Sequence, residues 1–193
     1  MQRQSICYLI IALFAIGLIA CGDSDDDKDI QQDVPAKSTT QTPIDSEDIA
    51  VREEVDFNVE EGAIRDLFTS HAAAVTERKV SKIMDHWLKL ETRDVFMAWN
   101  FWNAFTRIET WKGVKGSFAG TFEKFNNAMN VTITEVGIDK RGKEATLQAD
   151  YQWLQNGKLI AAFKKDNKEQ WKIQAIDFSN KDLIKWIKTP EPQ

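Results

Sequence analysis

The sequence ATLQADYQWL at residues 145–154, followed by LIAAFKKDNKEQWKIQAIDF at residues 159–178, decides the fold of this chain. In the first segment apolar and polar residues alternate, which is typical of a strand that buries one of its faces. The second segment holds two more apolar runs around a polar turn at residues 166–168. Asn156-Gly157, between the first two runs, is a strong hairpin signal. The pattern predicts an antiparallel meander.

Three helices are predicted before this meander. Apolar residues recur at helical spacing in residues 59–75, 80–88 and 112–126. Asn58 is the expected N-cap of the first helix, because short polar side chains accept the free amides of a helix start. Each helix has one apolar face, so all three are expected to pack on the sheet.

The remaining segments complete the prediction. Residues 95–99 form a continuous apolar run, so residues 94–99 are predicted to be a buried strand, and residues 103–109 predict a loop. In residues 130–138 the alternation slips by one residue near Glu135, which predicts a β-bulge. Residues 182–187 predict a short closing helix. The order of elements indicates an α+β domain with helices on one face of a curved antiparallel sheet.

Three short motifs resemble the nuclear-transport-factor-2-like superfamily, which includes SnoaL-like proteins and ketosteroid isomerases. They are Trp111-Lys-Gly113 at the start of the third helix, Gly142-Lys-Glu-Ala145 at the entry of a strand, and Lys164-Lys-Asp166 followed by Gln170-Trp-Lys-Ile173. The resemblance covers about residues 59–179. It implies a cone-shaped curved antiparallel sheet wrapped by three helices, with a pocket at the open end.

The resemblance also allows a test for enzyme chemistry. Isomerases of this superfamily use an Asp base, and a Tyr and a protonated Asp that hold the oxyanion. Alignment by the shared motifs places the base near Trp99, the Tyr near His71 and the acid near Ala161 or Ala162. At least two of these roles fall on residues that cannot fill them, so no catalytic residue is predicted.

Two functions remain open. The favoured one is a non-catalytic module that binds a small molecule or another protein. The alternative is a SnoaL-like isomerase, cyclase or dehydratase acting on a small hydrophobic substrate, with His71 paired to Asp94 or Asp150. Aromatic residues on the predicted elements either fill the core or line an apolar pocket for a small hydrophobic ligand. The candidate pocket residues are Phe68, His71, Trp99, Tyr151 and Trp153.

The N-terminus carries an export signal. Arg3 precedes an apolar run at residues 6–20, which is the length of a signal-peptide core and short for a membrane span. The following Leu-Ile-Ala-Cys at residues 18–21 resembles the lipobox of bacterial lipoproteins, which implies that Cys21 is acylated and becomes the mature N-terminus. The predicted location is the cell envelope, at the outer membrane if the cell has one, and the predicted first partner is the lipid bilayer.

The predicted organisation is a signal peptide at 1–20, an acidic disordered tether at 21–57, a SnoaL-like domain at 58–188 and a tail at 189–193. Residues 22–60 contain 13 acidic and 3 basic residues. Within them, residues 22–56 are poor in apolar residues and bury too little surface to fold.

Composition excludes several classes of partner. Basic residues are not interleaved with exposed aromatics in clusters, so no nucleic-acid partner is predicted. The chain has two histidines, and Cys7 lies in the signal peptide, so no metal site and no cofactor are predicted. A homodimer is allowed by the resemblance.

Overall fold

The computed structural model describes residues 55–101 and 104–191. These residues form three helices and one six-stranded sheet. The helices are α1 (Phe57–Thr76), α2 (Val80–Asp85) and α3 (Trp111–Lys124). The strands are β1 (Phe96–Phe101), β2 (Ala104–Glu109), β3 (Asn130–Ile138), β4 (Glu144–Gln152), β5 (Asn156–Lys165) and β6 (Trp171–Asp177). The predicted α+β class is confirmed. The predicted signal peptide, Cys21 and most of the tether lie outside the described residues.

The sheet is mixed, with the strand order β2-β1-β6-β5-β4-β3. The meander from β3 to β6 is antiparallel, as predicted, and so is the hairpin of β1 and β2. The pair β1 and β6 is parallel. The prediction of an all-antiparallel sheet is therefore wrong for this pair. The chain passes through β2, α3 and β3 to β5 before it returns, and β6 then lies beside β1 and runs in the same direction.

The helix α1 begins two residues earlier than predicted. The carboxylate of Asp56 accepts the backbone N–H groups of Asn58 and Val59, at 3.0 and 3.2 Å, and is therefore the N-cap. The predicted cap at Asn58 is wrong because both residue types can cap a helix and the sequence alone does not choose between them. The inward face of α1 is the one predicted, and His71 is buried on it.

The predicted loop at 103–109 is wrong for residues 104–109, which form β2. This strand lies at the edge of the sheet and pairs only with β1 among the described residues. Its first four residues, Ala104 to Arg107, are exposed. An edge strand with little buried surface carries no apolar alternation, so the pattern that identifies the other strands is missing here.

The strand β4 follows the prediction closely. Its inward side chains are buried, and the register between β3 and β4 shifts between Ile133 and Glu135, which confirms the bulge. The hairpin turn to β5, however, lies at residues 153–155, because Gln152 pairs directly with Asn156. Gly157 therefore lies in β5, where a Cβ would come within 3.3 Å of the Tyr151 ring.

The core has two parts. The larger part lies between the three helices and the inner face of the sheet. The smaller part lies on the outer face, where Ile184 from the C-terminal segment packs on Phe96, Ala98 and Ala175. The predicted helix at 182–187 is wrong, because these residues form neither a helix nor a strand and instead contact the outer face of the sheet through Ile184 and Ile187.

Candidate functional site

The five candidate pocket residues all lie in the inner core. Phe68 and His71 come from α1, Trp99 from β1, Tyr151 from β4, and Trp153 from the turn that follows it. None of them is more than 9% exposed. In the structure they belong to two separate groups of packed aromatic rings and do not line one common cavity.

The first group surrounds Phe178, which follows β6. Its ring centroid lies 4.8 Å from that of Tyr151, 6.2 Å from that of Trp99 and 6.3 Å from that of Trp153. The Tyr151 hydroxyl accepts a hydrogen bond from the Gln155 side chain at 2.7 Å, and burial raises the pKa of this hydroxyl. The first group is therefore closely packed, and its polar tip already has a partner.

The second group surrounds His71. Its imidazole centroid lies 5.9 Å from those of Phe68, His86 and Phe118, and 6.1 Å from that of Trp87. Phe118 also lies 6.1 Å from Trp153, which connects the two groups. A fully buried imidazole thus lies at the junction of α1, the end of α2 and α3.

Polar atoms in this second group have no hydrogen-bond partner in the described chain. They are both ring nitrogens of His71, the Nδ1 of His86 and the Nε1 of Trp87. We call His71, His86 and Trp87 the histidine cluster. A buried donor or acceptor without a partner costs about 1–3 kcal/mol, so native proteins rarely concentrate such atoms. These four atoms lie together at the junction of α1, the end of α2 and α3.

Both imidazoles are neutral at ordinary pH. Burial, together with the smaller effect of the neighbouring His86, lowers the pKa of His71 to about 3. The pKa of His86 is lowered by partial burial and by Lys172, while Asp85 opposes the shift. A neutral imidazole has one donor and one acceptor nitrogen, whereas an indole is a donor only. The histidine cluster can therefore donate two or three hydrogen bonds and accept one or two.

The acid–base pair of the enzyme alternative is not assembled. Asp94 and Asp150 are exposed, and the nitrogens of buried His71 bond to neither. The carboxylate of Asp177 is buried, but it accepts hydrogen bonds from the backbone N–H and the hydroxyl of Ser179. Within residues 55–101 and 104–191, no three His, Cys, Asp or Glu side chains are grouped to hold a metal ion.

The sequence did not identify two members of the histidine cluster as site residues. Both lie in the predicted second helix at residues 80–88, where no site residue was predicted. In the structure α2 ends at Asp85, and the chain then extends so that the Leu88 N–H bonds to Ile173 of β6. This early end turns both side chains toward α1. Phe118, at helical spacing in α3, is likewise a member of the surrounding cage.

A shallow surface groove lies elsewhere on the domain, between the end of α1 and α3. It contains none of the candidate pocket residues. Its lining residues are Glu77, Arg78, Val80, Ala119, Phe122 and Glu123.

No protein-family model and no curated protein matches this chain. Solved structures do match its fold. An NTF-2-like protein of unknown function from Shewanella oneidensis aligns with 12% identity and a TM-score of 0.53, over 62% of this chain and 98% of that one. The domain has the NTF2-like fold.

Two further structures agree with this assignment. A ketosteroid isomerase-like protein from Erwinia carotovora atroseptica aligns with 12% identity and a TM-score of 0.51, over 63% of this chain and 95% of the other. An NTF-2-like protein of unknown function from Silicibacter pomeroyi gives 10% identity and a TM-score of 0.52, over 64% and 97%. The resemblance read from the three motifs is thereby confirmed for the NTF2-like fold. Within the described residues, no helix combines the length and the apolar character needed to cross a membrane.

Proposed function

We propose that this protein is an exported, lipid-anchored lipoprotein whose NTF2-like domain binds a small, mostly apolar molecule without transforming it. The observation that carries the proposal is the histidine cluster, with four unpartnered nitrogen atoms inside a cage of aromatic rings. Pockets for small molecules combine an apolar lining with a few convergent polar groups, and this junction has that composition.

The chemistry of the cluster defines the ligand. Trp87 can only donate, so the ligand presents an oxygen acceptor to its Nε1. His71 is neutral and enclosed by rings, and an anion in such surroundings would lose its hydration without gaining a close counter-charge. The proposed ligand therefore has an apolar body and one neutral polar group, such as a carbonyl or a hydroxyl.

The absence of turnover is proposed on two grounds. A general base needs a pKa near the working pH, and burial lowers the pKa of His71 to about 3. The carboxylates suggested as its partners are exposed. The enzyme alternative would require a carboxylate beside His71 to hold a proton there, and neither ring nitrogen of His71 bonds to a carboxylate in the described chain.

Lipid anchoring is proposed from the N-terminal sequence, with Cys21 as the acylated residue and the acidic segment 21–57 as the tether. Mass spectrometry of the N-terminal peptide of the mature protein tests this directly. We expect a peptide that begins at Cys21 and carries acyl chains. An unmodified Cys21, or a peptide that still includes residues before it, would refute the anchor.

Native mass spectrometry of the protein purified from its own cell envelope in mild detergent tests ligand binding. We expect an added mass that is released on denaturation. Trp87→Phe and His71→Leu should lose it. Trp186→Phe makes the same indole-to-phenyl change outside the histidine cluster and should retain it. A wild-type protein without added mass, or an added mass that both cluster variants keep, would overturn the proposal.

A further inference from the structure

A half-buried tryptophan at the start of α3 lies beside two lysines and an exposed leucine. The Nζ of Lys89 is 5.6 Å from the centre of the Trp111 ring, and the Nζ of Lys115 is 5.3 Å from it. Both distances are in the range of cation–π attraction, which keeps each ammonium close to the indole. The carbonyl oxygen of Leu90 accepts the Trp111 backbone N–H at 3.0 Å, and the Leu90 residue is 45% exposed. We call Lys89, Leu90, Trp111, Lys112 and Lys115 the basic tryptophan patch.

The three lysines of this patch have no carboxylate partner. All are exposed, and none forms an ion pair within residues 55–101 and 104–191. Glu91 adjoins Leu90 in the chain but pairs with none of them in that part of the structure. At the start of α2, by contrast, Lys79 and Lys82 both bind the carboxylate of Glu77. The positive charges of the patch are therefore available to an anionic surface outside the domain.

The charge of the patch also opposes the dipole of α3. The positive end of a helix dipole favours acidic residues in the first turn and disfavours basic ones. The helix α1 follows this rule, with Asp56 as its N-cap and Glu60 in its first turn. The first turn of α3 contains Lys112 and no acidic residue. This lysine does not stabilise the helix, but it adds to the positive potential of the patch.

We propose that the basic tryptophan patch docks the domain on the surface of an anionic lipid bilayer. Lysines close to such a surface are attracted by its negative potential. Tryptophan is enriched at membrane–water interfaces, and exposed apolar side chains beside basic ones enter the boundary between headgroups and acyl chains. A dissolved polyanion would use the lysines alone, so the exposed Leu90 beside them favours a bilayer as the partner.

The position of the patch connects it with the proposed ligand site. The Trp111 indole N–H donates to the Met84 carbonyl oxygen at 3.5 Å, and His86 and Trp87 follow shortly after Met84 in the chain. The patch is therefore attached to the end of α2 that carries two members of the histidine cluster. Docking would hold that cluster close to the bilayer, in which a mostly apolar ligand dissolves. This last consequence rests on the proposed function, whereas docking itself does not.

Co-sedimentation with vesicles tests docking on residues 21–193, with Cys21→Ser to remove the acyl chains. The vesicles contain equal parts of phosphatidylglycerol and phosphatidylcholine, or phosphatidylcholine alone. We expect binding to the anionic vesicles only, and weaker binding at higher salt, because ions screen the attraction. Changing Lys89, Lys112 and Lys115 together to Gln should lower the partition coefficient on the order of 100-fold.

Two controls separate the patch from net charge and from exposed apolar surface in general. Changing Lys140, Lys168 and Lys188 together to Gln removes the same charge from exposed lysines outside the patch, and should lower the partition coefficient far less. Leu90→Ser should lower it several-fold because an apolar contact with the bilayer is lost. Val59→Ser, at a residue that is 65% exposed on α1, should leave it unchanged.

Three results would overturn the docking surface. They are a parent chain that does not bind anionic vesicles, equal losses in the two triple variants, and binding that Leu90→Ser leaves unchanged. The last result would assign the lysines to a dissolved polyanion such as an acidic protein. Vesicle binding is measured without the acyl chains and without the ligand, so its failure is distinguishable from failure of the lipid anchor or of ligand binding.

Discussion

Two buried tryptophans of this domain differ in whether their indole N–H has a hydrogen-bond partner. Trp171, in β6, donates its indole N–H to the Glu60 carboxylate at 2.6 Å, and Lys165 binds the same carboxylate while lying 5.1 Å from the indole ring centre. Trp87 is at least as buried, at 2% against 7%, yet its indole N–H has no partner in the described chain. We call Glu60, Lys165 and Trp171 the glutamate corner, for contrast with the histidine cluster.

The difference separates what stabilises the domain from what is available for binding. In the glutamate corner both carboxylate oxygens and the indole N–H are bonded, so the corner ties α1 to β5 and β6 with charge-assisted bonds. In the histidine cluster the packing is equally apolar but the nitrogens are unused. A region that forgoes about 1–3 kcal/mol for each unpaired buried group has a reason outside folding, and ligand binding is the reason proposed here.

Breaking the glutamate corner should have the largest effect. Trp171→Ala is expected to lower the free energy of unfolding by about 3–5 kcal/mol, because it leaves a cavity in the core and removes the donor to one oxygen of the Glu60 carboxylate. Urea unfolding followed by circular dichroism measures this. Trp171→Phe keeps most of the ring and separates the packing loss from the lost hydrogen bond. A wild-type melting temperature in Trp171→Ala would refute the role of the corner.

Removing the imidazole of the histidine cluster should have a smaller effect of opposite sign. In ligand-free protein, His71→Leu is expected to raise the free energy of unfolding by about 1–3 kcal/mol, because it removes two unpartnered buried nitrogens at similar volume. The neighbouring exposed residue provides a control for helix propensity, as Ser70→Leu. A loss of stability in His71→Leu as large as that of Trp171→Ala would mean that the imidazole has partners of its own.

The dependence of stability on pH should be the smallest and most specific signal. Because burial lowers the pKa of His71 to about 3, the unfolded chain binds a proton below about pH 6.5 that the folded domain does not. The contribution of His71 to stability should be constant above that pH and fall on acidification, by at most about 1.4 kcal/mol per pH unit. Unfolding between about pH 4.5 and 7 avoids most carboxyl titration. His71→Leu should remove most of this slope, and an unchanged slope would contradict the assignment.

Local patterns explain which parts of the fold were predictable. The alternation in β4 and the bulge beside Glu135 are properties of neighbouring residues, and the structure confirms both. The strand β2 was missed because its edge position leaves four residues exposed. Residues 182–187 were wrongly predicted to be a helix because an irregular segment held by contacts with the sheet has no period of its own. The parallel contact of β1 and β6 depends on how the chain returns, which a local pattern does not specify.

Part of the candidate site was predictable, because it too depends on local sequence patterns. The aromatic residues of the inward faces follow from the alternation and the helical spacing, so Phe68 and His71 were correctly placed inside. That His86 and Trp87 meet His71 depends on the end of α2 at Asp85 and on the pairing of the next residues with β6. Those contacts join segments far apart in the sequence, so local patterns do not predict that the unpartnered nitrogens of His71, His86 and Trp87 lie close together.

The most direct test of the account is nitrogen NMR of the imidazole rings, which is unusually simple because the chain contains two histidines. Spectra are compared for the protein as purified from the cell envelope and after unfolding and refolding to release bound molecules. We predict that the His71 ring nitrogens report a hydrogen bond in the first sample and none in the second. Identical His71 signals in both samples would contradict the claim that a bound molecule completes the histidine cluster.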